Sequence, residues 1–191
     1  MDTDKHQEIL RGIRKEFFAF RNGIIADKLR RAGDPHPVIM GCLLVDIQGI
    51  AQRAIETIND PETLTALAQE LWSDMNSREC RLAAPMLYSP QLMTEQEALK
   101  WCESVETVEI ADNLCHKLLR RLECADGLFR QLITQDHPLA KYTGYRLLLN
   151  LLIIGKVQLS APLRSIVEHE STQTTQGPLA LLLKNILEED C

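Results

Sequence analysis

Aromatic residues make up only 5% of this 191-residue chain, with two Trp, three Tyr and four Phe. Glycine and proline are also sparse, at nine and eight, and no stretch alternates polar with apolar residues as a half-buried strand requires. These shortages argue against a β-sandwich or an α/β sheet. The longest apolar run, Leu147 to Ile154, is far too short to span a bilayer. The N-terminus, Met-Asp-Thr-Asp-Lys-His-Gln-Glu, lacks the apolar stretch of a signal peptide. A cytoplasmic protein without a membrane partner is therefore expected. The six cysteines, Cys42, Cys80, Cys102, Cys115, Cys124 and Cys191, form no CxxC pair and no zinc-like spacing. No metal and no other cofactor is expected, and the cysteines read as thiols, with Cys42 and Cys115 in the core. A net charge of −6 gives no general attraction to nucleic acid.

Leu, Ala, Glu, Arg and Gln dominate what remains, the composition of an all-α chain. With 45% hydrophobic and 25% charged residues, residues 1–191 suffice for one compact domain or one short repeat array. Apolar periodicity predicts helices over Asp4 to Phe20, Ile24 to Arg31, Leu43 to Ile58 and Glu62 to Trp72, with Gly33-Asp-Pro-His-Pro37 as the clearest break. Another helix begins at Asn76 or Ser77. Thr94 reads as the N-cap of the next, and a long helix is predicted from Val105 to Leu122. Further helices cover Gly127 to Thr134, Pro138 to Gly155, Ala161 to His169 and Pro178 to Leu187. The polar segment Glu170 to Gln176, near the start of residues 170–191, is the best candidate for mobility.

The segment from Glu70 to Tyr88 is the most informative. Leu64, Leu67, Ala68 and Leu71 recur at helical spacing before a short polar turn, and Leu82, Ala83, Met86 and Leu87 recur after it. Two such helices cannot bury their apolar stripes alone, so neighbouring pairs must stack on them. This segment, with Glu70-Leu71-Trp72 followed by Arg78-Glu79 and Arg81 to Ala84, resembles the DNA alkylation repair family of HEAT-like proteins. Met40 to Ala51, Val105 to Asp112 and Lys141 to Leu148 follow in that family's order. The resemblance implies an all-α, right-handed stack of helical pairs, an α-solenoid of HEAT-like repeats.

It also implies a site. Active members of the family are DNA glycosylases, hydrolases that remove cationic alkylated purines from duplex DNA held in a concave, basic groove. Asp112 falls where the family places an aspartate that stabilises the developing sugar cation, and Arg146 where it holds a backbone phosphate. Arg78, Arg81, Lys117 and Arg121 are the further candidates for DNA contacts. The family's cleft tryptophans are absent: Val108, Thr143 and Leu181 stand in their places, with Trp101, Tyr142 and Tyr145 as the aromatics nearest to them in sequence. His116, one turn after Asp112, shares its helix face, whereas His36 and His137 read as loop residues without a partner. Duplex DNA is the partner if the arginines and Asp112 share one surface. A noncatalytic DNA-binding protein of the same fold is the competing reading, and a protein partner is expected if the groove is not basic.

Overall fold

A computed structural model describes residues 3–189, which form eleven α-helices, two single 3-10 turns and no strand. An isolated bridge joins Val38 and Ser77. Among the described residues no helix is long and apolar enough to cross a membrane. The chain divides into two compact units, residues 1–93 and 94–191.

The first unit contains α1 (Thr3–Ala19), α2 (Gly23–Arg31), α3 (Leu44–Ile58), α4 (Pro61–Ser73) and α5 (Arg78–Leu87), followed by a 3-10 turn at Pro90–Leu92. Local chemistry sets the boundaries. Asn22 caps α2, its side chain accepting from the Ile24 and Ile25 amides at 3.1 and 3.2 Å. Asn59 ends α3 in the left-handed region, φ 46°, which its short polar side chain tolerates. Asp60 then accepts from the Thr63 amide at 3.0 Å, with Pro61 at the first helical position. The four residues between α4 and α5 join them into a helical hairpin, with Leu64, Leu67, Ala68 and Leu71 buried on one side and Leu82, Ala83 and Leu87 on the other.

Helix α5 is buried on all faces, charges included. The Glu79 carboxylate, fully buried, accepts from the backbone amides of Met40 and Gly41 at 3.0 and 3.1 Å and from Arg78 Nη1 at 2.9 Å. Arg78 Nη1 also lies 3.3 Å from the Cys42 carbonyl oxygen. These bonds pin the segment before α3 from inside. Gly41 is required there: φ is 75°, and a Cβ would collide with the Asn22 carbonyl.

The second unit contains α6 (Glu95–Glu103), α7 (Val108–Lys117), a 3-10 turn at Leu119–Arg121, α8 (Ala125–Ile133), α9 (Pro138–Ile153), α10 (Ala161–Gln173) and α11 (Gly177–Glu188). Helix α9 is its centre, with α6, α7, α8 and α11 packed against it. Ten of its sixteen residues are buried, the condition of a helix that is apolar nearly all round. Gly144 permits the closest approach, since a Cβ there would sit 2.7 Å from Leu132 Cβ and 2.8 Å from the Ile133 nitrogen of α8.

Two predicted elements differ from what forms. The helix predicted from Val105 to Leu122 begins only at Val108, because the Thr107 hydroxyl caps it by accepting from the Ile110 amide at 3.2 Å. It ends at Lys117 and gives way to the 3-10 turn. Helix α10 runs past His169 to Gln173. Glu170 there pairs with Lys141 of α9 at 3.4 Å and accepts from the Thr174 hydroxyl at 3.2 Å, so the polar segment is tied to the core helix at its start.

Candidate functional site

Helix α7 buries Ile110, Ala111, Asn113, Leu114 and Cys115, which turns Asp112 and His116 outward, one turn apart. Tyr142 and Arg146 stand one turn apart on α9 and meet Asp112 from the other side. The Tyr142 hydroxyl donates to Asp112 Oδ1 at 2.8 Å. Arg146 Nε lies 3.2 Å from the same oxygen, close enough for an ion pair but without the alignment of a hydrogen bond. A hydrogen bond and a cation thus converge on one carboxylate oxygen. Asp112 is 38% and Arg146 28% exposed at the side chain, whereas Tyr142 is buried. Burial, then the charge of Asp112 and the bond to it, hold the Tyr142 phenol well above the ordinary tyrosine range.

A basic turn continues from this group. Lys117 ends α7, and Arg120 and Arg121 form the 3-10 turn after it. Arg121 Nη1 reaches the Lys117 carbonyl at 3.4 Å, and Lys156 Nζ donates to the Arg120 carbonyl at 3.0 Å. Cations in this place complement the carboxyl end of the helix dipole, a structural role that does not depend on a ligand. Their joint field is felt at His116, whose pKa is lowered by partial burial and by the charges of Arg120, Lys117 and Arg146.

Of the residues singled out from sequence, Asp112, Arg146 and Tyr142 are in contact, with Lys117 and Arg121 in the turn beyond. Arg78 and Arg81 correct the expectation of phosphate contacts. Both are buried in the first unit, Arg78 on Glu79 and Cys42, and Arg81 with Nη1 bonded to the Trp72 carbonyl at 2.8 Å and its guanidinium 3.6 Å over the Trp72 ring. Neither guanidinium is at a surface. Trp101 and Tyr145 are buried as well, at 5% and 1% exposure, and offer no ring face. Burial and the charge of Glu170 push the Tyr145 phenol up to about 12. Thr143 is buried with its hydroxyl on the Leu139 carbonyl at 2.6 Å, and Leu181 is exposed on α11.

The histidines read as loop residues do have partners. His36 is buried with Nδ1 2.6 Å from Asp34 Oδ1, and His137 Nδ1 caps α9 by accepting from the Ala140 amide at 3.3 Å. Tyr142 was legible as an aromatic but not as a hydroxyl donor; its i,i+4 spacing to Arg146 was the available signal. Cys42, Cys80, Cys102 and Cys115 are buried free thiols, and burial, followed by the charge of Glu79, pushes the Cys42 thiol up to about 12. Such thiols are not nucleophiles. Cys191 lies outside the described residues. No cluster of His, Cys, Asp or Glu that could hold a metal occurs among the described residues.

Comparison with known proteins is consistent with the order of motifs. No curated protein and no solved structure gives a significant match. The sequence model of a family described as DNA alkylation repair enzyme matches residues 13–159, a span that holds Asp112, Tyr142, Arg146 and the basic turn. The chain belongs to the DNA alkylation repair enzyme family.

Proposed function

We propose that this protein binds duplex DNA and releases alkylated purines as a glycosylase, with Asp112 beside the sugar and Arg146, Lys117 and Arg121 on the phosphates. The observation that carries this reading is the Asp112 carboxylate, 38% exposed and held at Oδ1 by Tyr142, next to Arg146 and a basic turn. In the proposed reaction the bond from C1′ to the purine nitrogen breaks, its electron pair leaves with the cationic base, and the sugar becomes an oxocarbenium ion. Water then adds at C1′ and loses a proton. A carboxylate at about 4 Å from that cation is worth about 4 kcal/mol at an effective dielectric near 20, and more where water is excluded. Within each unit the antiparallel helical pairs are the kind of module that HEAT-like arrays repeat, which supports a HEAT-like reading of each.

The test is release of methylated purines from alkylated duplex DNA. Asp112→Asn should cut excision about 100- to 1000-fold while duplex binding stays near that of the wild type. Retained excision would remove Asp112 from the reaction. A second reading, a noncatalytic DNA-binding protein of the same fold, is favoured by the aromatics: Trp101 and Tyr145 are buried, and Val108, Thr143 and Leu181 stand where the resemblance calls for tryptophans. Without a ring face, cation–π recognition of a charged base, about 0.5–2 kcal/mol, is lost. Duplex binding without excision in the same assay would select this reading.

A further inference from the structure

We infer that Tyr142 is a positioning residue: its hydroxyl fixes the orientation of the Asp112 carboxylate and leaves Arg146 available to a phosphate. The inference rests on the reading of Asp112 as the group beside the sugar, and it assigns the two donors on Oδ1 to different tasks. They are not equivalent. Tyr142 makes the 2.8 Å bond from a buried ring on the central helix of its unit. A ring packed on its sides has little freedom, so the hydroxyl position is set by the core. Arg146 is near the same oxygen at 3.2 Å, but its buried Nε makes no hydrogen bond, and no hydrogen bond engages its Nη groups. An ion pair without aligned geometry attracts; it does not orient.

Charge distribution supports the same division. Arg146 shares its surroundings with Arg120 and Lys117: all three charges add to partial burial in lowering the His116 pKa. A phosphate placed there would be drawn by all of them, and the fork of Arg146 is the group able to meet it with two parallel bonds. Tyr142 is neutral, so it stays on Asp112 whatever anion arrives. A carboxylate held at Oδ1 by the tyrosine keeps its orientation when the phosphate binds, and small losses of aim are costly in rate.

Three measurements on the full chain separate the roles. In alkaline titration followed by tyrosine absorbance, Asp112→Asn should move the Tyr142 ionisation to lower pH, since a negative neighbour and acceptor is removed; the Tyr142→Phe difference spectrum identifies that tyrosine. An unmoved ionisation would overturn the contact. Under single-turnover conditions Tyr142→Phe should slow excision about 10- to 100-fold, with duplex affinity within about twofold of wild type. Arg146→Gln should do the reverse, weakening the duplex complex and its salt dependence with a smaller effect on the rate at saturation. A Tyr142→Phe protein that excises at the wild-type rate, or loses affinity and not rate, overturns the assignment. Wild-type protein that excises nothing overturns the glycosylase reading and the positioning role with it; a titration shift would then show the hydroxyl contact to be structural only.

Discussion

Glu79 carries a charge into a place where water cannot reach it, and the chain answers with three donors. Two are backbone amides of Met40 and Gly41, and the third is Arg78. A buried carboxylate so bonded is close to balanced; its partners left without it are not. Glu79→Ala should therefore destabilise the protein by about 3–5 kcal/mol, measured by denaturant unfolding of the full chain, with the first unit losing hydrogen-exchange protection ahead of the second. An effect below about 1 kcal/mol would mean that water replaces the carboxylate. In sequence Glu79 is visible only as part of the Arg78-Glu79 motif behind the start of a helix, with nothing to mark it as buried. Arg78 and Arg81 read in sequence as candidates for DNA contacts, since periodicity cannot distinguish an arginine beside water from one over a buried Trp72 ring. Asp112 and Arg146, by contrast, stood out through the order of family motifs around them. Their shared oxygen could not be seen, because it depends on how α7 and α9 pack.

At the level of elements, α9 shows how one glycine sets a helix pair. The backbone of α8 approaches Gly144 so closely that a methyl group would overlap Leu132 Cβ and the Ile133 nitrogen, neither of which is the flexible end of a side chain. Gly144→Ala gains helix propensity, worth about 1 kcal/mol at a free site, yet should cost about 1–3 kcal/mol net through overpacking. A rise in the thermal midpoint would show that the two helices can part without penalty. Helix ends were legible where a side chain announces them: Thr94, read as an N-cap, accepts from the Glu97 amide, and of the two candidates Asn76 and Ser77 it is Ser77 that accepts, from the Cys80 amide. The break before α7 was not, because Val105, Ile110 and Leu114 continue an apolar period across Thr107, whose capping bond only the folded backbone reveals.

For the molecule as a whole, net charge and local charge point in opposite directions. A net charge of −6 repels a polyanion at long range, so any affinity for DNA must come from the few cations that meet it, within about one Debye length, 8–10 Å in ordinary buffers. Duplex binding should accordingly be weak at high salt and steep in its salt dependence. Arg146→Ala should lower the slope of log affinity against log salt by about one phosphate contact, read from titrations at several salt concentrations with an unalkylated duplex. An unchanged slope would take Arg146 off the phosphate backbone.

Tyr142 and Arg146 are borne by the most deeply packed helix of their unit, not by a loop. Most proteins keep their working groups on segments that open locally at little cost. Tyr142 and Arg146 sit instead on a helix that packs against four others. On the proposed reading, loss of activity on heating or in denaturant should therefore coincide with the unfolding of α9 itself, because the two groups have no footing apart from it.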